Sequence, residues 1–188
     1  MMKRIFSAIL LLCLCSQVQA IELSGVKLQD TVYLGPRDLV LNGAGVRSKF
    51  FLNLYIAALY LPEKKSSAGE VLADDGEKRM ALHLLRDISA DHLFSAFNKA
   101  LTDNHTPSEL AGLDAAIKQF SAIFMAMKEV NKGDVITLDY QPTRGTQVSV
   151  NSVLKGTVVG AAFSTALMKI WLGDKPAQDD LKLKLLGR

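Results

Sequence analysis

The alternation of hydrophobic and polar positions predicts mainly strands in the first half of the chain. Short strands separated by turn signals are expected within 21–32, and longer strands at 38–50, 51–61 and 79–85. The 51–61 segment is apolar at nearly every position, on both of the faces that a strand presents. Because a strand with two apolar faces is covered on both sides, we expect packed material above and below it.

Helical spacing dominates after residue 90. One apolar stripe predicts a helix over 91–101, and Thr106-Pro107-Ser108-Glu109 has the features of a helix start, with a capping Thr, a Pro at the first position and a Glu three residues on. From Leu110 to Met127 the apolar residues recur at intervals of three and four. This spacing predicts an amphipathic helix that lies on a sheet and is ended by Gly133.

The remaining segments complete an α+β pattern. A short helix is expected in the polar connection 63–76, and a hairpin over 134–140 and 146–150. Two helices follow, the first stopping at Gly173 and the second starting near Pro176. The order of strands, helices, hairpin and helices predicts one domain whose helices pack on one face of a large, mostly antiparallel sheet.

The first twenty residues have the pattern of a secretory signal peptide. A basic start is followed by an uncharged apolar run over 5–15 and by Val18-Gln19-Ala20, which suits cleavage after Ala20. A membrane anchor is the competing interpretation, but this run falls short of the ~20 apolar residues that cross a bilayer. We therefore predict a signal peptide at 1–20, a single domain at 21–188, a periplasmic location and no integral membrane segment after cleavage.

Composition and charge exclude several classes of function. The chain of 188 residues is 49% hydrophobic and 22% charged, as expected for a globular protein, and its net charge of +3 is too small for a dedicated nucleic-acid binder. Both cysteines lie within the predicted signal peptide, so a mature chain has no thiol chemistry. The histidines, at 83, 92 and 105, do not have the spacing of metal ligands. We expect neither a metal nor a cofactor.

The most suggestive polar residues surround one predicted strand. Arg47 ends a glycine-rich extended segment, where the backbone can approach a neighbour closely. Tyr55 lies in an apolar strand, and counting in twos places Phe51 and Asn53 on the same face as Tyr55. An Arg fork and a Tyr hydroxyl can hold a carboxylate or an enolate oxygen. These residues are our candidate ligand-binding group, with Arg47 and Tyr55 as catalytic candidates if the protein is an enzyme. The alternative is a surface Arg and a core Tyr without a ligand.

Two stretches of sequence resemble a known family. Leu41-Asn42-Gly43-Ala44-Gly45-Val46-Arg47 and Tyr55-Ile56-Ala57-Ala58-Leu59-Tyr60-Leu61 resemble the opening strands of the chalcone isomerase fold. The stretch from Gly160-Ala161-Ala162-Phe163 through Trp171-Leu172-Gly173 to Leu185-Leu186-Gly187 is similar to the bacterial, secreted chalcone isomerase-like family. The resemblance covers nearly all of 21–188.

This resemblance implies an open-faced β-sandwich, in which a large antiparallel sheet lies under a layer of helices with a ligand cleft between them. In plant enzymes of this fold the matching Arg helps to stabilise an enolate, and Arg47 occupies its place. Tyr55 falls near the position of those enzymes' catalytic Thr. In non-catalytic relatives that bind fatty acids, an Arg and a Tyr on these strands hold the carboxylate, and Arg47 with Tyr55 is similar to that pair.

Three functions follow, in order of preference. The first is non-catalytic binding of an amphipathic carboxylate, such as a fatty acid, in an apolar cleft. The second is an isomerase or intramolecular lyase acting on an enolisable ketone, with Arg47 as the oxyanion stabiliser and Tyr55 as a proton donor or an orienting group. The third is a module of an envelope assembly with no chemistry of its own.

Overall fold

A computed structural model describes residues 21–188, so the predicted signal peptide lies outside the described residues. The predicted strands and helices occur in the expected order, together with three further strands that the sequence pattern does not predict. The strands are β1 (Ile21–Leu23), β2 (Val26–Leu28), β3 (Thr31–Leu34), β4 (Arg37–Lys49), β5 (Leu52–Leu61), β6 (Lys78–Leu84), β7 (Ile88–Ser89), β8 (Glu129–Val130), β9 (Val135–Gln141), β10 (Gly145–Val150) and β11 (Val153–Val158). The helices are α1 (Ala68–Ala73), α2 (Ala90–Asp103), α3 (Pro107–Met127), α4 (Ala161–Leu172) and α5 (Asp179–Leu185).

Seven of these strands form one curled antiparallel sheet in the order β11-β10-β9-β6-β5-β4-β3. The helices pack on this sheet, which confirms the predicted α+β class and open-faced sandwich. Two small ribbons, β1 with β2 and β7 with β8, lie outside the large sheet. The short strands expected within 21–32 correspond to β1, β2 and the start of β3.

Strand β5 is covered on both faces, as its sequence predicts. Its residues Tyr55, Ala57, Leu59 and Leu61 pack in the core beneath the helices. The alternate residues Ile56, Ala58 and Tyr60 pack on the other face, against apolar side chains of β2, β3 and the first half of β4. All seven residues are at most 4% exposed. This burial fixes the register of β5, because a shift by one residue would exchange its two faces.

The helix layer is held by aromatic packing and by a well-capped α3. Thr106 Oγ1 accepts a hydrogen bond from the Glu109 amide at 3.3 Å, and Glu109 Oε2 accepts one from the Thr106 amide at 2.7 Å. This is the capping box that the sequence predicts. With 21 residues and a mean hydropathy of 1.3, α3 is also long and apolar enough to cross a membrane, and 22% of its apolar window is buried. Its buried residues are Leu113, Phe120, Ile123 and Phe124, and the helix packs against α2, α4 and β11.

The sequence pattern gives one helix end wrongly and does not reveal one strand of the large sheet. Helix α3 ends at Met127 instead of near Gly133, because Lys128 adopts a positive φ of 62° that cannot continue a helix. The residues that follow it form β8 and pair with β7. The hydrophobic pattern also does not reveal β11. In this edge strand the apolar residues Val153 and Leu154 are adjacent and exposed, so the strand lacks the alternation that marks a half-buried strand.

Candidate functional site: a pocket between the sheet and the helices

Arg47 and Tyr55 lie directly opposite each other in the ladder between β4 and β5. Residues paired in this way project their side chains from the same face of a sheet, and Tyr55 belongs to the core on the helix side. Both side chains line one pocket of about 300 Å³. The rest of its apolar wall comes from the helix layer and the loop after α4: Ala96, Phe97, Ala100, Ile170, Pro176 and Ala177.

Tyr55 presents a hydrogen-bond donor to this pocket. The side chain is 4% exposed, and its hydroxyl oxygen accepts a hydrogen bond from Trp171 Nε1 at 3.2 Å. Within residues 21–188 the hydroxyl donates no hydrogen bond of its own, so its proton is available to a ligand. Burial raises the pKa of Tyr55 above its ordinary value, and this outweighs the opposing effects of Trp171 and Arg47. Tyr55 is therefore protonated at neutral pH.

Arg47 is fixed in place by the start of α5. Arg47 Nη1 donates to Gln178 Oε1 at 3.1 Å and also to the Ser48 carbonyl oxygen. The same Gln178 oxygen accepts the Ser48 amide at 2.9 Å, and Gln178 Nε2 donates to the Val46 carbonyl at 3.3 Å. All of these partners are uncharged. In the described part of the chain Arg47 thus keeps its positive charge without a carboxylate partner.

The glycines of β4 allow α5 to come this close. A Cβ added at Gly43 would lie 2.8 Å from the Leu185 carbonyl oxygen and closer still to that of Lys184, and one added at Gly45 would lie 2.9 Å from the Leu181 side chain. Asn42 secures the contact, since its Nδ2 donates to the Leu185 carbonyl at 2.7 Å. The close approach expected at this glycine-rich segment is therefore to α5, and it brings Gln178 to Arg47.

The mouth of the pocket is positively charged. Lys49, Lys99 and Lys175 line it together with Asp103. Asp103 is paired with Lys99, whose Nζ lies 2.6 Å from Asp103 Oδ2. Lys49 and Lys175 form no ion pair with any carboxylate of residues 21–188. The positive mouth, the buried Tyr hydroxyl and the apolar wall together suit a ligand with one anionic end and an apolar body.

The match to a family model covers residues 20–187, nearly the whole chain, and the model is described as chalcone isomerase-like. The chain belongs to the chalcone isomerase-like family. Among solved structures it is similar to a fatty-acid binding protein from Arabidopsis thaliana, with a TM-score of 0.68 and 13% sequence identity. That match covers 89% of this chain and 96% of the plant protein. No curated protein sequence matches the chain significantly.

In this chalcone isomerase-like chain, the other two candidate residues lie apart from the pocket. Phe51 is fully exposed, at 103%, because it lies in the turn between β4 and β5, where the alternation of a strand does not apply. Asn53 is also exposed, and its Oδ1 accepts a hydrogen bond from Ser48 Oγ at 2.8 Å. A shift of register between Arg47 and Ser48 separates Asn53 from the regular ladder at Tyr55.

Sequence reasoning missed two residues that organise the site of this family member. Gln178 holds Arg47, and Trp171 donates to Tyr55, yet each lies more than one hundred residues from its partner in sequence. In the sequence, Trp171 is distinguished only as part of the Trp171-Leu172-Gly173 stretch that resembles the family. A buried Trp needs an acceptor for its indole N–H, and this requirement is the one signal that could have linked it to a polar neighbour.

Proposed function

We propose that this chalcone isomerase-like protein binds an amphipathic carboxylate, such as a fatty acid, without catalysing its conversion. The observation that carries the proposal is that Arg47 and Tyr55 share one apolar-walled pocket. The carboxylate would receive hydrogen bonds from the Arg47 guanidinium and the Tyr55 hydroxyl, while the hydrocarbon part packs against Phe97 and Ile170. The similarity of fold to a protein whose name states fatty-acid binding supports the same ligand class.

The volume of the pocket sets the scale of the ligand. About 300 Å³ lies at the lower end of the ~300–1,000 Å³ that is typical of ligand pockets. The mouth lies beside lysines, so the end of a longer chain would protrude between them or displace side chains. Charge-assisted hydrogen bonds of the kind that Arg47 offers contribute about 1.5–3 kcal/mol each, which corresponds to roughly a 10- to 150-fold change in affinity.

The polar groups of the pocket fit binding better than isomerisation. Arg47 and protonated Tyr55 both donate hydrogen bonds, and neither can remove a proton from a substrate. Asp103 is the carboxylate at the described pocket wall, and it is paired with Lys99 at the mouth. An isomerisation that begins by removing a proton from the carbon beside a ketone needs a base at that carbon, whereas a bound carboxylate needs only donors and positive charge.

The test is a binding measurement with matched variants. Titration of the full chain with fatty acids of eight to eighteen carbons should show binding, and Arg47→Ala should weaken it about tenfold or more. Arg144→Ala is the matched control, since Arg144 is exposed on the turn between β9 and β10. Mass spectrometry of gently purified protein should also find a co-purifying acid. The proposal fails if no fatty acid binds at micromolar concentration, or if both Arg variants bind equally.

We also propose that the protein works in the periplasm, after removal of residues 1–20. The basic start, the apolar run and the small residues before position 21 support this location. Mass spectrometry of the protein from the producing organism should find a mature chain that begins at Ile21. A cytoplasmic chain that retains residues 1–20 would contradict the proposed location and would leave the proposed ligand unaffected.

A further inference from the structure

The turn between β4 and β5 carries two aromatic residues that contact almost nothing. Phe50 is 83% exposed, Phe51 is 103% exposed, and the next residue, Leu52, is 51% exposed. Both phenylalanines have positive φ, 49° at Phe50 and 66° at Phe51. Bulky residues rarely adopt this conformation, because the side chain crowds the backbone. Among residues 21–188, the two most exposed large apolar side chains therefore lie where they are conformationally unfavourable.

Another hairpin of the same chain shows what this turn ordinarily uses. Asn151 and Ser152, between β10 and β11, have φ values of 49° and 66°, the same as those of Phe50 and Phe51. Asn tolerates this conformation, and two-residue turns with positive φ favour Asn, Asp and Gly. Since the chain forms the same turn elsewhere with suitable residues, the folding of the hairpin does not explain the two phenylalanines.

The surroundings of the aromatic turn are basic. The segment 47–53 contains Arg47 and Lys49 and no acidic residue. Lys49 Nζ lies 5.6 Å from the centre of the Phe50 ring and also lines the mouth of the pocket, with Lys175 close by. The aromatic turn thus directly follows Lys49, a residue of the pocket mouth, and within residues 21–188 its neighbouring cations Arg47 and Lys49 have no carboxylate partner.

We propose that Phe50 and Phe51 insert into the surface of a lipid bilayer that carries anionic headgroups, and that this contact holds the mouth of the pocket against the membrane. The cations would lie among the headgroups, where each basic residue near an anionic surface is attracted to it. The aromatic rings would enter the boundary with the acyl chains. Loading of the pocket from the membrane rests on the proposed function, whereas docking itself does not.

The shape of the turn favours a bilayer over a protein partner. Two residues at the end of a narrow hairpin form a convex point, and a stable protein interface typically buries ~1,200–2,000 Å² over a broad patch. A bilayer accepts such a point without a complementary pocket. The adjacent cations match anionic lipid, and the amphipathic ligand proposed for the pocket partitions into the same bilayer.

The test measures sedimentation of the full chain with vesicles of phosphatidylglycerol and phosphatidylcholine. The variant Phe50→Asn/Phe51→Ser transplants the turn of the β10–β11 hairpin. The control Val153→Thr/Leu154→Thr removes apolar residues that are 58% and 53% exposed beside that second turn. Because every variant has the same residues 1–20, differences between variants report on the exposed positions that were changed.

We expect the aromatic-turn variant to lose vesicle affinity by at least about tenfold, since each Phe that leaves water contributes a factor of this size. The control should bind like the original chain, and added salt should weaken binding. The aromatic-turn variant Phe50→Asn/Phe51→Ser should have a higher melting temperature than the original chain and the same affinity for a soluble fatty acid. Tyr55→Phe should show the opposite pattern, with weakened fatty-acid binding and intact docking.

Three results would overturn the docking proposal. The first is undiminished vesicle binding by the aromatic-turn variant. The second is an equal loss in the Val153 and Leu154 control, which would indicate general stickiness. The third is the absence of vesicle binding by the original chain. If the original chain is then a dimer that the aromatic-turn variant converts to a monomer, the partner is a second copy of the chain.

Discussion

Replacement of Gly43 by Ala tests whether the contact between β4 and α5 positions the site. A methyl group at this position would lie 2.8 Å from the Leu185 carbonyl oxygen and 2.9 Å from its carbonyl carbon. Ordinary contacts between such atoms require about 3.5–4.0 Å. The Lys184 carbonyl oxygen would be closer still, and all three obstacles are backbone atoms, which cannot rotate away as a side chain can. The end of α5 must therefore move off the sheet.

The cost of this movement can be worked out from the contacts that it disturbs. Overpacking of a well-packed core costs about 1–3 kcal/mol, and loss of the 2.7 Å hydrogen bond from Asn42 to Leu185 adds about 1 kcal/mol. Leu181 and Leu185, both 0% exposed, would also lose contact with the core. We expect Gly43→Ala to lower the free energy of unfolding by about 2–4 kcal/mol. For a chain of this size the melting temperature should fall by roughly 4–16 °C.

The same substitution should weaken ligand binding, although Gly43 does not line the pocket. Displacement of α5 moves Gln178, which holds the Arg47 guanidinium through a 3.1 Å hydrogen bond. Thermal denaturation and fatty-acid titration measure the two effects. Gly112→Ala is the control, because a Cβ there has no neighbour within 4 Å, and an Ala in place of Gly inside a helix should stabilise α3 by about 0.5–1 kcal/mol. If Gly43→Ala is as stable as the original chain, the close approach does not constrain the fold.

Two further substitutions test single polar contacts. Tyr55→Phe leaves the Trp171 indole N–H without its acceptor in the core, so chemical denaturation should show that the free energy of unfolding falls by about 1–3 kcal/mol. An unchanged free energy of unfolding would mean that this hydrogen bond does not stabilise the fold. Asp74→Asn should lower stability by about 1 kcal/mol at pH 7, because Asp74 accepts hydrogen bonds from Lys65 and from the Gly76 amide at 2.7 Å. These bonds lower the pKa of Asp74, and the hydrogen bond from Lys65 is the main cause. The contribution of Asp74 to the free energy of unfolding is therefore complete above the ordinary pKa near 4, and it is lost as the pH falls through the lowered pKa. Denaturation at pH 7 and near pH 2 should show the difference shrinking, and a constant difference would contradict this cause.

The parts of the fold predicted from sequence are those in which local pattern and tertiary structure agree. The two apolar faces of β5 correspond to two separate layers of core, and the residues Thr106 to Glu109 form the capping box that their order indicates. The glycines of β4 also had the expected meaning, a close approach of backbone. The sequence did not reveal that α5 is the element that approaches, because the contact joins segments more than one hundred residues apart.

The failures occur where a regular period does not describe the chain. Counting in twos places Phe51 on the face of Tyr55, but Phe51 lies in the turn before β5, where side chains do not alternate between two faces. Lys128 ends α3 through a positive φ that its residue type does not suggest. Gln178 has no local feature that marks it as the partner of Arg47. The sequence pattern therefore indicates Arg47 and Tyr55, the two donors of the pocket, but it does not indicate Gln178, which holds Arg47.

Strand β4 links the features on which the proposals depend. Gly43 admits α5, Arg47 follows four residues later with its Gln178 contact, and Phe50 begins the exposed turn three residues beyond that. At about 3.3 Å per residue, the distance from Gly43 to Phe50 is about 23 Å. Sites this far apart with no shared partners affect stability independently. We expect the two changes to have opposite effects on the free energy of unfolding. Gly43→Ala lowers it by disrupting a good contact, whereas Phe50→Asn/Phe51→Ser raises it by relieving an unfavourable backbone conformation. Because the two phenylalanines destabilise the turn that they occupy, their place in the sequence fits the bilayer contact proposed above and not the folding of the hairpin.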